Sequence, residues 1–114
     1  MISLINRFHG HTSLRLPYQK GKSAYSNNLK IIYLAGAKQN YRVAVVVSKK
    51  VHKSAVVRNR IRRRVYEQVR LYMQDNPKLA DIIVVAQNDK LAHASAGELA
   101  EEVQQLLKKT IATL

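Results

Sequence analysis

The sequence has no cysteine and no tryptophan, and only seven of its 114 residues are acidic. Without cysteine the chain can form neither a disulfide nor a thiolate metal site, and such a chain fits a reducing cytoplasm. Its apolar runs are far too short to cross a bilayer, and its N-terminal residues lack the apolar stretch of a signal peptide. We therefore expect a cytoplasmic protein that does not associate with membranes.

The scarcity of acidic residues leaves a large excess of positive charge. Lysine and arginine together number 20, so the formal net charge is +13 and the isoelectric point is about 10.4. Hydrophobic residues make up 46% of the chain, which is enough for a folded core and excludes a basic disordered tail. A folded domain with an isoelectric point above about 9 has the electrostatic character of a nucleic-acid-binding protein.

The sequence also lacks the patterns that would indicate catalysis by protein side chains. It contains no paired carboxylates, no nucleophile beside a base and no glycine-rich phosphate loop. His9 and His11 form a His-x-His pair, but no cysteine or nearby acid completes a metal site around them. We therefore expect the protein to contribute no catalytic residue and no metal ligand.

Apolar periodicity predicts an α+β domain over residues 12–114, preceded by a flexible arm over residues 1–11. The predicted strands are 22–26, 29–34, 41–48 and 81–87. The third of these has valine on both faces, which predicts a central place in the sheet. The predicted helices are a short one from Thr12 or Ser13, one from Ser54 to about Met73, and a last one after Ser95. The whole is a single-domain α/β sandwich, with three or four strands and helices on one face.

The second predicted helix carries the strongest functional signal. Residues 58–64 contain five arginines and one asparagine, yet apolar residues still recur every four positions around Ile61. On a helical wheel, the ridge opposite Ile61 consists of Asn59, Arg63, Tyr66 and Arg70. Solvated helix faces usually mix both charges, whereas this helix has one acid, Glu67, against six arginines. Because guanidinium groups match phosphate oxygens, the pattern favours binding of a polyanion.

The order of these residues resembles one family. The segment Ser48-Lys49-Lys50, followed by Ala55-Val56-Val57-Arg58-Asn59-Arg60-Ile61-Arg62-Arg63, is similar to the signature of the protein subunit of bacterial ribonuclease P. The resemblance covers most of the chain, from about residue 12 to residue 110, and its parts occur in the right order. Its other parts are Lys20-Gly21-Lys22, Tyr41-Arg42-Val43-Ala44-Val45, Asp81-Ile82-Ile83-Val84-Val85-Ala86 and the segment from Leu99 to Lys109.

This resemblance implies a role as well as a fold with a left-handed β-α-β crossover. In the family the large RNA subunit is the catalyst and works with Mg²⁺, while the protein binds that RNA and the 5′ leader of precursor tRNA. We therefore expect these RNA partners and no obligate protein partner. The implied RNA-binding residues are Lys49, Lys50, Lys53, Arg58, Asn59, Arg60, Arg62, Arg63 and Arg70. The implied leader-cleft residues are Leu14, Tyr18, Ile32 and Tyr33.

Some positions depart from the family pattern. Tyr66 stands where the family often has arginine, Leu14 and Ile32 stand where it often has aromatic residues, and Pro17 interrupts the first helix. Leader stacking would then be weaker, or would use Tyr18 with Tyr33 or Tyr66; the alternative for Tyr18 and Tyr33 is packing in the core. The alternative function is a non-enzymatic RNA-binding protein of ribosomal type. A DNA-binding regulator is less favoured, because a strand and lysines precede the arginine helix where a helix-turn-helix would have another helix.

Overall fold

The computed structural model describes residues 21–35, 41–76 and 78–114. The predicted arm and first helix, with Leu14 and Tyr18, lie outside these residues. The strands are β1 (Lys22–Tyr25), β2 (Leu29–Ala35), β3 (Arg42–Val46) and β4 (Ala80–Ala86). The helices are α1 (Ala55–Asp75) and α2 (Ala96–Thr110), with short 3-10 turns at Lys90–Ala92 and Ile111–Thr113. No helix in this part of the chain has the length and apolar character of a membrane span.

The strands form one sheet in the order β1-β2-β4-β3. β2 pairs antiparallel with both β1 and β4, whereas β3 and β4 are parallel, and α1 connects them. The predicted strand–helix–strand unit is therefore confirmed, while the left-handed sense implied by the resemblance stays a prediction. The predicted central position of β3 is wrong, because β3 lies at the edge of the described sheet and β4 lies inside it.

The two faces of β3 explain this error. Val43 and Val45 face the helices and are buried, and Ala44 on the opposite face is also only 8% exposed. A strand with both faces covered reads as apolar throughout, whether or not both of its edges are hydrogen-bonded. Burial of the faces therefore did not predict the position of β3 in the sheet.

The main core lies between one face of the sheet and the two helices. Alternate strand residues face the helices, since side chains along a strand point to opposite faces. α1 covers them with every third or fourth residue, as the wheel centred on Ile61 predicts, and α2 completes the layer. Full burial of one such side chain stabilises the fold by roughly 1.5–3 kcal/mol. The core includes Leu29, Ile31, Val43, Val45, Ile82, Val84, Ile61, Val65, Val69, Tyr72, Leu99, Val103, Leu106 and Leu107.

The opposite face of the sheet also has a buried row. Ile32, Ile83 and Ala44 are register partners across three strands, and each is less than a tenth exposed. Beside this row, Arg42 donates two hydrogen bonds to the buried carboxylate of Asp81, at 2.9 and 2.8 Å. The hydrogen bonds to Asp81 raise the pKa of Arg42. This bidentate pair gives a buried charge its partner, as burial requires.

The turn between β1 and β2 is attached to α2 through one carboxylate. Glu102 accepts hydrogen bonds from the Ser26 hydroxyl at 2.5 Å, the Asn28 backbone N–H at 2.9 Å and the Asn28 side-chain amide at 2.8 Å. Three donors on a single carboxylate fix the turn against the helix. Because Leu29 pairs with Ala86 and Val46 pairs with Val85, this turn lies at the same end of the sheet as the exit from β3 toward α1.

Candidate nucleic-acid interface

The basic surface begins in the segment that joins β3 to α1. The Val51 backbone N–H donates to the Ser48 carbonyl at 3.0 Å, which closes a tight turn. Lys49 and Lys50 occupy the two central positions of this turn, and both are exposed. Lys53, also exposed, follows just before the helix. The three lysines therefore precede the first turn of α1 and have room to reach an anionic partner.

Two side chains fix the start of α1. The Ser54 hydroxyl accepts a hydrogen bond from the Val57 N–H at 3.4 Å, as the predicted N-cap requires. Arg58 reaches back and donates through Nη1 to the carbonyls of His52 and Lys53, at 3.0 and 2.8 Å. Arg58 thus braces the lysine turn against the helix, in addition to the phosphate contact that the resemblance implies.

Arg64 braces a second segment in the same way. Its Nη1 donates to the Leu91 carbonyl at 2.6 Å, and its Nη2 donates to the Ala94 carbonyl. These carbonyls belong to the segment that leads from β4 into α2. Arg64 therefore fastens the start of α2 to the middle of α1.

The remaining arginines of α1 differ in their partners. Arg62 donates through Nη1 to the Asn59 side-chain oxygen. Arg70 donates through Nε and Nη2 to the carboxylate of Glu67, and this hydrogen-bonded pairing lowers the pKa of Glu67. Arg60 and Arg63 are exposed and have neither a hydrogen bond nor an ion pair with any residue that the structure describes.

A shallow cavity lies on each side of Arg63. The first has a volume of about 380 Å³ and is lined by Val56, Asn59, Arg62, Arg63 and Tyr66. The second has a volume of about 370 Å³ and lies between α1 and α2. It is lined by Arg60, Arg63, Arg64, Glu67, Gln68, Ala96 and Leu99. Arg63 contributes to both, so the ridge of α1 divides two concave basic surfaces.

Tyr66 does not stand on the outer ridge, where the wheel placed it. Its ring packs against the core and is half-buried, and its hydroxyl accepts a hydrogen bond from the Val45 N–H at 3.2 Å. Val45 lies in β3, so Tyr66 leans from α1 toward the edge of the sheet. A regular wheel gives the angle at which a side chain leaves the helix, but not the direction in which a long side chain then bends.

The structure separates the two described members of the predicted leader cleft. Ile32 belongs to the buried row with Ile83 and Ala44, whereas Tyr33 is half-buried against the core on the helix side. Neighbouring residues of a strand point to opposite faces, so these two side chains do not line one surface. Leu14 and Tyr18 lie outside the described residues.

Across residues 21–35, 41–76 and 78–114, no three histidine, aspartate or glutamate side chains are grouped so as to hold a metal ion. His9 and His11 lie outside these ranges. His52 uses Nδ1 to accept a hydrogen bond from the Ser54 N–H at 3.0 Å, so this nitrogen serves the start of α1.

Comparison with known proteins places this geometry in a family. The family model described as ribonuclease P matches residues 6–111. The ribonuclease P protein component of Alkaliphilus oremlandii is 41% identical over 106 residues, covering 92% of this chain and 90% of that protein. The corresponding protein of Clostridium kluyveri is 40% identical over 111 residues, covering 92% and 94%.

A solved structure has the same fold. The RNase P protein of Staphylococcus aureus superposes with a TM-score of 0.78, covering 91% of this chain and 94% of that one at 23% identity. That level of identity supports the architecture alone, whereas the family match and the relatives above cover nearly the whole sequence. On these findings, the chain belongs to the ribonuclease P protein family.

Proposed function

We propose that this chain binds the RNA subunit of ribonuclease P through the ridge of α1 and the preceding lysine turn, and so supports removal of the 5′ leader from precursor tRNA. Membership of the family makes the chain a protein component of ribonuclease P, with an RNA partner in the holoenzyme. Beyond family membership, we propose the surface that meets the RNA, the substrate that the holoenzyme cleaves and the subunit that performs the chemistry. We also propose the cytoplasmic location that the sequence predicts.

The observation that carries the proposal is that Arg60 and Arg63, in the first half of α1, are exposed and have no partner among the residues that the structure describes. The first turn of α1 contains no acidic residue. Arg60 lies three and four positions before Arg63 and Arg64, and like charges at such spacings destabilise a helix, so these arginines do not serve the stability of the free helix. A phosphate backbone neutralises the charges of these arginines. Each neutralised phosphate also releases a condensed counterion, which favours binding.

The two bracing arginines support the same proposal. Arg58 and Arg64 hold the lysine turn and the start of α2 in fixed positions around the ridge. Groups held in place before binding lose less conformational entropy when the partner arrives. The basic surface is thus arranged by hydrogen bonds within the protein rather than by the RNA alone.

Five of the seven carboxylates in the described residues have hydrogen-bond partners, and three of these five bind residues of another element or an arginine. Glu67 is held by Arg70, Asp81 by Arg42, and Glu102 by Ser26 and Asn28. This supports the proposal that the RNA subunit, with the Mg²⁺ that the holoenzyme requires, carries out the cleavage. The protein is then a binding subunit of the endonuclease.

A cleavage assay tests the proposal. Purified protein alone is expected to leave precursor tRNA intact, whereas adding it to an RNase P RNA at low Mg²⁺ is expected to increase cleavage and yield mature 5′ ends. The double variant Arg60→Ala/Arg63→Ala is expected to require a higher protein concentration for the same stimulation. Cleavage by nuclease-free protein without RNA would contradict the assignment of chemistry. Equal binding to unrelated structured RNAs, without stimulation, would favour the ribosomal-type alternative.

We also propose that the leader of precursor tRNA contacts Tyr18, on the resemblance to the family. Stacking of a base on an aromatic ring contributes about 1–3 kcal/mol. Tyr18→Ala is therefore expected to lower the affinity of the holoenzyme for precursor tRNA more than for mature tRNA, which has no leader. Measuring both affinities for parent and variant tests this, and an unchanged ratio in a folded variant would remove Tyr18 from the leader site.

A further inference from the structure

We propose that the cavity formed by Val56, Asn59, Arg62, Arg63 and Tyr66 is a site for an unpaired nucleobase of the bound RNA. The proposal rests on the proposed function, because it requires the chain to bind RNA. It assigns this side of the ridge a different task, since stacking on a ring and contact with a base edge are added to neutralisation of phosphates.

The aromatic wall of the cavity is held in place. The Val45 N–H binds the Tyr66 hydroxyl at 3.2 Å, and the half-buried ring packs against the core. A ring fixed at both its body and its tip loses little rotamer freedom when a base stacks on it.

A second apolar side chain of the cavity is exposed. Val56 is the second residue of α1, and its side chain is 76% exposed. A single exposed valine is ordinary on a protein surface. Val56 lines the same cavity as Tyr66, however, so a nucleotide that filled the cavity would remove apolar surface of both residues from water.

Polar groups of this cavity match the remainder of a nucleotide. Arg62 donates to the Asn59 side-chain oxygen, which leaves the Asn59 amide N–H groups as donors for the carbonyl oxygen or ring nitrogen of a base. Arg63 is exposed at the rim and has no partner among the described residues, so it can meet the adjoining phosphate. The volume of about 380 Å³ is within the usual range for small-ligand sites.

The chemistry favours an unpaired base. In an A-form duplex the faces of the bases are stacked on one another, and side chains cannot read the deep, narrow major groove. Sequence-tolerant recognition of single strands instead combines cationic groups with aromatic side chains that stack on exposed bases. The cavity beside Tyr66 has both components within one concave surface.

The decisive experiment compares two labelled probes, hexauridylate and a hexamer with the same ribose-phosphate backbone but no bases. The measured quantity is the ratio of their dissociation constants for the full-length protein at one salt concentration. Tyr66→Leu is expected to reduce the preference for the base-containing probe roughly 5- to 150-fold, the range that corresponds to loss of one stacking contact. Tyr66→Phe is expected to keep most of the preference, because the ring remains. An unchanged ratio in folded Tyr66→Leu would overturn the proposal.

Val56→Ser protects the test against a folding defect, because that side chain is largely in water. It is expected to lower the same ratio by a smaller factor, and Leu71→Ser, which removes an exposed leucine elsewhere on α1, is expected to leave it unchanged. If Val56→Ser and Leu71→Ser gave the same ratio of dissociation constants, the result would contradict the proposed site. Arg60→Ala, outside this cavity, is expected to weaken both probes by the same factor; failure of either probe to depend on Arg60 would instead contradict the proposed function.

Photochemical cross-linking gives a second readout that needs no variant. Hexauridylate with one 4-thiouridine, irradiated on the parent protein and digested with trypsin, is expected to label the peptide of residues 65–70, which contains Tyr66. Labelling confined to other peptides, at a concentration where the probe is fully bound, would place the base elsewhere and overturn the proposal.

Discussion

The two helices use charge in opposite ways. Both begin at a serine cap and bury one apolar face, α1 after Ser54 and α2 after Ser95. α2 has Glu98 in its first turn and two lysines in its last turn, which complements the helix dipole. α1 has no acid in its first turn and no base in its last, and its arginines lie toward the positive end. The charges of α2 therefore stabilise the fold, whereas those of α1 favour an anionic partner.

The same division of labour exists among the arginines of α1. Arg58 and Arg64 donate to backbone carbonyls and act on the protein itself. Arg62 and Arg70 are joined to neighbours on the helix, Asn59 and Glu67. Arg60 and Arg63 have no such partner among the described residues. The arginines of α1 therefore form three groups with different contacts, and substitutions can test each group separately.

The largest expected effect comes from a change on the buried apolar face of α1, a kind of face that α2 also has. Ile61→Asp is expected to abolish cooperative folding, because Ile61 is fully buried and an isolated carboxylate in the core costs several kcal/mol or more. That cost is a large part of the roughly 5–15 kcal/mol by which small domains are stable. Thermal unfolding followed by circular dichroism measures it. Leu71→Asp, on the exposed side of the same helix, is the matched control and is expected to fold.

Removal of a bracing arginine comes next. Arg64→Ala is expected to lower the free energy of unfolding by about 1–3 kcal/mol, because the Leu91 and Ala94 carbonyls lose their donors. Urea denaturation of parent and variant gives the difference. Arg60→Ala is the comparison and should change stability by less than about 0.5 kcal/mol. Equal losses in the two variants would abolish the distinction between bracing and unpaired arginines.

The unpaired arginines are expected to show the converse behaviour. Arg63→Ala is expected to weaken binding to the RNA subunit by about 1–3 kcal/mol, the usual scale for charge-assisted hydrogen bonds, while the fold is retained. The affinity should be measured at several salt concentrations, since loss of a phosphate contact also reduces the salt dependence. Parent-like affinity, together with an unchanged circular dichroism spectrum, would show that the ridge is not the RNA interface.

The smallest expected effect concerns the difference in charge between the first turns of the two helices. Ala55→Glu gives α1 the acidic first turn that α2 already has. We expect a gain of about 0.3–1 kcal/mol in stability from the helix dipole, together with weaker RNA binding from the added negative charge. Measuring unfolding and RNA affinity on one preparation tests for opposite signs. If stability and RNA affinity both rose or both fell, the result would contradict the view that the charges of α1 favour binding at the expense of stability.

Periodicity and capping residues were sufficient to predict the four strands and two long helices that the structure describes. The core face around Ile61 and the caps at Ser54 and Ser95 are confirmed, as are four strands within about two residues of their predicted bounds. These features are local, because a cap or an apolar stripe depends on residues only a few positions apart. Patterns of this kind act within one element and are therefore visible in one segment of sequence.

Contacts between distant segments were not predictable. Arg64 meets the Leu91 carbonyl 27 positions away, and Glu102 meets Ser26 and Asn28 more than 70 positions away. Neither contact has a sequence signal, since a surface-type residue gives no indication of the carbonyl or hydroxyl it will reach. The pair of Arg42 and Asp81 had a partial signal, because both residues lie within the first two positions of strands that the fold makes parallel neighbours. The division of the arginine run into separate duties depended on such contacts.

The hydrogen bond between Val45 and Tyr66 has a further consequence, at the edge of the described sheet. β3 forms this edge, and the outward N–H groups of an edge strand invite a strand from another molecule to add to the sheet. The Tyr66 hydroxyl occupies one of these donors in the middle of β3. A side chain of α1 therefore protects part of this edge from pairing with a strand of another molecule.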